Sequence, residues 1–343
     1  MDKSKEEILI SWTTLWRIFF MLILITALFL ARNVLLILFL AIVVSAAFDG
    51  PVTFFEKKGI PRVLGTLVIF ILLLATLALI LYTVIPIGIT EFKGFLDNLS
   101  SIHLPVFGSI DSSFWIQRLG QNLQDLTDSL FSGNVSLLDF VVQLFGNIIL
   151  VITSIVLSFY LTVSRSGVEK FLKTVLPLPY EDYVVGFYHR VRRKLGLWLQ
   201  GQLVLMLIVG AIVFLGLWIL GVKYKLILAV LAGLLEIVPV AGPIFSGTLG
   251  FLFAFSDSWL LAVYTAILFF VVQQLENHLL VPLVMRKTVG INPVVVVLAL
   301  LAGSEIAGII GIILAVPAAV VFQELFEDWE ERKLRVKSNR LEI

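Results

Sequence analysis

Glu236 stands in the run Glu236-Ile-Val-Pro-Val-Ala-Gly-Pro243, flanked on both sides by about a dozen nearly uncharged residues. An ionisable side chain at the centre of a bilayer costs at least about 2.5–3.5 kcal/mol on insertion scales, so it is kept where it carries a proton or cation, or where it caps exposed backbone. Glu305, in Gly303-Ser304-Glu305, repeats the pattern. Gln273, Glu276 and Asn277 fall at i, i+3 and i+4 inside another apolar stretch, so they share one helix face. That face must meet protein or a polar pathway, as interhelical glue or as part of a route for solute or ion. Linear position puts it nearer one membrane boundary than the midplane, as the lining of an inner vestibule. His278 is a proton relay or an interfacial residue. The chemistry open to these groups is proton exchange and oxygen coordination of a cation. His-Glu-x-x-His and the P-loop pattern are both absent, so neither metalloprotease chemistry nor ATP hydrolysis is expected. Cysteine is absent too, which removes thiol catalysis and disulfides. No cofactor and no metal site is expected, and no enzymatic activity.

The elements that position these groups are membrane helices. Of 343 residues, 59% are hydrophobic and 14% charged, with a net charge of +1; a soluble domain is far more polar. Runs of about 20 apolar residues span a bilayer core, and they occur at Trp12–Ala31, Val63–Ile85, Val141–Val163, Leu197–Leu220 and Trp259–Val281, with a shorter one at Val34–Phe48. The first is too long for a signal peptide, and another span follows at once. Pro239, Gly242 and Pro243 interrupt residues 226–255, which as one helix would run about 45 Å, too long for a core of about 30 Å. Residues 293–317 are interrupted in the same way at Gly303-Ser304-Glu305 and punctuated by Gly308, Gly311 and Pro317. The expected fold is therefore an all-α polytopic membrane protein with about six transmembrane helices, two opposed re-entrant helical hairpins and an external helical insert.

Loop charge orients it. Residues 165–194 hold seven basic against three acidic residues and 332–340 hold five basic ones, whereas 87–140 hold six acids against Lys93 and Arg118. Both termini are thus expected in the cytoplasm and the acidic segment outside, with Arg286-Lys287 cytoplasmic and Lys223 and Lys225 external. In that segment Ile116, Leu119, Leu123, Leu126 and Leu130 form a stripe of period 3.5, after an N-cap at Asp111 or Ser112. The stripe fits either an oligomer contact or docking on the protein's own surface. Gly201, Gly210 and Gly216 read as close-packing positions. Arg190, Arg192, Arg193 and Lys194 read as orientation and lipid-headgroup residues, not as a nucleic-acid surface. The parts are 1–86 (scaffold helices), 87–140 (external insert), 141–195 (a span and a basic segment), 196–322 (the hairpin-containing transport region) and 323–343 (a charged tail).

The order of motifs resembles a known family. Gly201-Gln202, Leu220-Gly221-Val222-Lys223-Tyr224, Glu236 to Pro243, Gln274-Leu-Glu-Asn277 followed by Pro282, Val289-Gly-Ile-Asn-Pro293, Gly303 to Gly311 and Leu314-Ala-Val-Pro317 look like the AI-2E transporters, which include the PerM-like permeases. The resemblance rests on specific motifs over about 150–325, and on hydropathy before that. It implies a prokaryotic inner-membrane protein, a homo-oligomer (a pentamer), and a hairpin domain moving against a scaffold. It associates some members with export of the quorum-sensing molecule autoinducer-2 and others with sodium/proton exchange. Many members have Gly where Ser304 stands, and often an Asn near Glu236. The expected pathway residues are Glu236, Pro239, Gly242, Pro243, Gln273, Glu276, Asn277, Gly303, Glu305, Gly308 and Pro317. Three functions stay open: export of a small polar solute, cation/proton antiport, and an oligomeric membrane scaffold. The expected partners are a second copy of the chain, a small-molecule or cation substrate, and membrane lipids.

Overall fold

The computed structural model describes residues 12–80, 148–285 and 293–341. Every regular element among them is a helix. The chain begins with α1 (Trp12–Leu30), which buries none of its residues, and α2 (Arg32–Lys57), longer than the apolar run at Val34–Phe48 suggested. After a turn comes α3 (Arg62–Ile80). Then follow α4 (Ile148–Val163) and α5 (Gly167–Val175), which meet at an 89° bend. The expected external helix with the Ile116, Leu119, Leu123, Leu126 and Leu130 stripe lies outside the described residues, as does Arg286-Lys287.

The longest uninterrupted helix is α6 (Leu178–Ile219), of 42 residues. At 1.5 Å per residue it runs about 63 Å, twice the thickness of a bilayer core, so its basic first half extends beyond its apolar second half. The expected division at residue 195/196 falls in the middle of this helix. Its apolar half packs Val209, Val213 and Leu217 against Leu228, Ala229 and Ala232, and the cluster also takes in Phe253 and Val272. Its other half packs Val191, Leu195 and Trp198 in a cluster with Val43, Ala46, Leu314, Val316 and Val320. One helix thus serves both cores.

The first hairpin has arms α7 (Lys225–Leu235) and α8 (Ala241–Asp257), with a tip at 236–240. The arms are antiparallel, because their far ends meet: the Tyr224 and Phe253 rings stack edge-on 5.2 Å apart, and Lys223 Nζ pairs with Asp257 Oδ1 at 2.7 Å. Gly242 and Pro243 lie inside the first turn of α8, where a proline is tolerated, so the break precedes them. Next come α9 (Trp259–Leu275), a π-helical turn at Glu276–Leu280, and α10 (Val281–Val284).

The second hairpin lies within α11 (Pro293–Leu341). Helical geometry fails only at Ala307 (φ −144°) and Gly308 (φ 56°, ψ −132°), the latter a conformation open essentially to glycine alone. A Cβ on Gly303 would run into the Gly311 carbonyl, and one on Gly311 into the Gly303 carbonyl. Along a straight helix those positions lie about 12 Å apart, so the chain folds back between them. The expected break at Gly303-Ser304-Glu305 is corrected: those residues are helical and the turn comes at 307–308. The reason is a division of labour among glycines. Gly303 and Gly311 let the arms touch, and Gly308 supplies the backbone reversal.

Two ionic clusters tie the helices together. Arg62, with a side chain 10% exposed, donates to the Thr162 carbonyl (2.9 Å) and to Glu56 (3.3 Å) and pairs with Asp49, while Arg165 reaches Glu56 (2.8 Å). On α6, Arg190 pairs with Glu324 (2.5 Å) and Asp328 (2.7 Å), Lys194 pairs with Glu327 (2.7 Å) and Glu324, and the Tyr183 hydroxyl donates to Asp328 (2.6 Å). Arg190 and Lys194, read from sequence as orientation and headgroup residues, thus have acidic partners on α11.

Candidate functional site

Where α7 ends, Glu236 turns its side chain inward and is 2% exposed. The helix stops here because Pro239 withdraws a backbone donor and disfavours helical geometry at the residue before it. The chain then makes a tight reversal. The Ala241 N–H donates to the Pro239 carbonyl at 2.8 Å around Val240, whose φ is 69° and ψ −53°, a γ-turn of the rare, strained hand. Gly242 follows with its Cα close against the Leu235 carbonyl, where any Cβ would collide. Among the described residues Val240 is the single non-glycine at positive φ, a genuine outlier for a β-branched side chain.

Glu276 approaches from α9 and is 7% exposed. It opens the π-helical turn, and such extra-residue turns recur at functional sites. Its carboxyl and that of Glu236 lie within hydrogen-bonding reach of each other. A carboxylate only accepts hydrogen bonds, so a bond between two carboxyls requires a proton on one of them. Gln273 Nε2 donates to Glu276 Oε2 (3.2 Å) and approaches Asn277 Oδ1 (3.3 Å). Asn277 is exposed and Gln273 half-buried, so polar groups run from the protein surface to the buried pair. Glu236 Oε2 is buried with no hydrogen-bond partner.

Of Gln273, Glu276 and Asn277, expected from linear position to line an inner vestibule, Glu276 stands beside Glu236. Depth in a broken helix is not counted along the chain, and the hairpin tip delivers Glu236 to Glu276. His278 is exposed, with Nδ1 3.0 Å from the Gln274 carbonyl oxygen, outside the carboxyl pair. Pro239 lies in the tip, and Gly242 and Pro243 start the return arm. Gly303 and Gly308 build the other hairpin, where Glu305 is exposed and Pro317 is buried in the second arm. Among the described residues α11 makes no substantial contact with α7, α8 or α9, so Glu305 stands apart from the pair.

Gln202 was not among the expected site residues. It is 3% exposed, and its Nε2 donates to the Glu236 backbone carbonyl at 2.6 Å, satisfying an acceptor that the end of α7 leaves open. Its signal in the sequence was a pair of amides, Gln200 and Gln202, in an otherwise apolar stretch of α6, on either side of the Gly201 that packs against Met285. Among the described residues no group of three or more His, Asp or Glu side chains could hold a metal ion.

The arrangement is a pair of buried carboxyls within hydrogen-bonding reach of each other at the tip of a broken helix, in a protein whose described residues include six helices long and apolar enough to cross a membrane. Broken helices of this kind are where transporters bind their solutes and coupling ions. A family model described as AI-2E family transporter matches residues 18–331. YueF of Bacillus subtilis is 30% identical over 292 residues, covering 81% of this chain and 79% of its own. YrrI of the same organism is 28% identical over 285 residues, covering 80% of each. The names of both assign them provisionally to transport. PerM of Escherichia coli, named provisionally as a permease, is 23% identical over 318 residues, covering 87% of this chain and 88% of its own. With the family model matched over nearly its whole length, the chain belongs to the AI-2E transporter family.

Proposed function

We propose that this protein is a proton-coupled secondary transporter that exports a small polar organic solute of the autoinducer-2 kind across the inner membrane of a prokaryotic cell. Glu236 and Glu276 carry the coupling proton. The observation that supports this most directly is the hydrogen-bonding reach between two buried carboxyls at the hairpin tip. Shedding the shared proton leaves two like charges a few ångströms apart in a medium of low dielectric, and that repulsion drives the tip away from α9. In this reading both termini are cytoplasmic, the two hairpins enter from opposite sides, and the functional unit is a homo-oligomer, a pentamer.

A second reading, cation/proton antiport, is favoured by the unpartnered Glu236 Oε2. Beside the Glu276 carboxyl it offers the hard oxygen ligands that such a cation takes. Proteoliposomes under an imposed proton gradient separate the two. Proton-driven movement of autoinducer-2 without sodium supports the first reading, and proton-driven sodium movement without the solute supports the second. Glu236→Gln keeps size and hydrogen bonding while removing the charge, so transport should lose its dependence on the gradient. Unaltered gradient dependence in Glu236→Gln, and likewise in Glu276→Gln, would reduce the pair to a helix cap.

A further inference from the structure

The tip of the first hairpin is strained, and its own side chain does not hold it. Val240 sits in the left-handed region with 60% of its surface exposed, so packing does not force it there. Such conformations persist only where surrounding contacts over-determine them. Two of the contacts on this tip come from outside the hairpin. One is the buried bond from Gln202 Nε2 on α6 to the Glu236 carbonyl, at 2.6 Å. The other is the carboxyl contact from Glu236 to Glu276.

We infer that Gln202 is a positioning residue which, together with the Glu236–Glu276 pair, holds the tip closed against strain stored at Val240, so that release of the pair opens the tip. The proton step of this inference rests on the function proposed above, whereas the mechanical step does not. When the shared proton leaves for water on the accessible side, a hydrogen bond becomes a repulsion. One of the two outside holds is lost, and the γ-turn relaxes. Glu236 faces Glu276, and Glu276 faces Glu236 and the non-titratable Gln273. From α6 the facing group is Gln202, also non-titratable, and Lys223 and Asp257 pair at the far end of the hairpin. The pair is therefore the proton-sensitive hold on the tip.

Opposite changes at two non-titratable positions test this. Val240→Gly removes the strain, because glycine takes positive φ freely, and should favour the closed tip about tenfold, the scale of one such outlier. Gln202→Leu removes a hold and should favour opening by a similar factor. The chain has no cysteine, so maleimide labelling of an Ala241→Cys reporter reads tip exposure directly. Labelling should slow about tenfold with Val240→Gly and quicken with Gln202→Leu, and the two combined should return towards the parent rate. The pH of half-maximal transport should move up by about one unit with Val240→Gly and down with Gln202→Leu. Val240→Ala keeps a Cβ at positive φ and should show less than half of the glycine effect. Unchanged labelling in Val240→Gly overturns the inference, whether or not Gln202→Leu folds. Slower labelling in Val240→Gly alongside intact proton coupling in Glu236→Gln would retain the strained tip and overturn only its link to the proton.

Discussion

Glu324 joins the return arm of the second hairpin to α6, and neutralising it should cost the protein about 2 kcal/mol. Its side chain is 5% exposed; one carboxylate oxygen meets Arg190 at 2.5 Å and the other meets Lys194. Glu324→Gln keeps the shape but leaves an amide to face two cations, and only its carbonyl oxygen can accept. Stranding a buried charge outright costs about 3–5 kcal/mol. Neither cation is stranded here, since Arg190 retains Asp328 and is 46% exposed, and Lys194 retains Glu327 and is 28% exposed. What is lost is one charge-assisted bond and part of a second, at about 1.5–3 kcal/mol for a bond to a charged group, discounted for the solvent around Arg190. Thermal unfolding in detergent measures the loss. A double-mutant cycle with Lys194→Met should return a coupling of about 1 kcal/mol, because the doubly substituted protein opposes one cation, Arg190, to the amide instead of two. An unfolding midpoint in Glu324→Gln equal to that of the parent, at low and at high salt, would refute the reasoning and reduce the cluster to a solvated surface pairing.

Two further outcomes follow from the packing. Gly311→Ala puts a methyl into the Gly303 carbonyl, an overpacking worth about 1–3 kcal/mol, so folded yield and thermal midpoint should fall, whereas alanine at the open Gly221 should be tolerated sterically and cost only its positive φ. Arg62→Met should lower the stability by about 2–3 kcal/mol, since Asp49 and Glu56 would keep only Arg192 (3.5 Å) and Arg165 (2.8 Å); a thermal midpoint equal to that of the parent would show that those two arginines compensate in full.

The membrane class and both interruptions were legible because they depend on composition and on local backbone chemistry, which sequence carries directly. Glu236 was legible for the same reason: a carboxyl amid apolar residues announces its own cost. Gly303, Gly308 and Gly311 were legible as a punctuated segment but not as distinct roles, since close approach and positive φ select the same residue type. The pairing of Glu276 with Glu236 was not legible, because the hairpin brings together two residues 40 positions apart in sequence. Gln202 was passed over because an amide in an apolar helix is uncharged and cheap beside a carboxyl, and its partner is a backbone carbonyl that exists as an acceptor only because α7 stops there. The acidic partners of Arg190 and Lys194 lie 130 or more residues away in sequence, beyond any local pattern.

Both hairpins are anchored on α6, and the strengths of the two anchorages decide which part is free to move. The second hairpin's return arm is held by the Glu324 cluster and by Leu314, Val316 and Val320 in the core shared with Leu195 and Trp198. The first arm of the first hairpin is held by Leu228, Ala229 and Ala232 against Val209 and Val213. The tip is not. There the link to α6 is one neutral hydrogen bond from Gln202, worth about 0.5–1.5 kcal/mol net, set against strain of about 1–3 kcal/mol at Val240. Those terms nearly cancel, so the balance passes to the carboxyl pair, whose sign depends on a single proton. A tip poised in this way can be switched by the few kcal/mol that one protonation supplies, while clamps and cores of the larger kind stay closed and keep the frame in register.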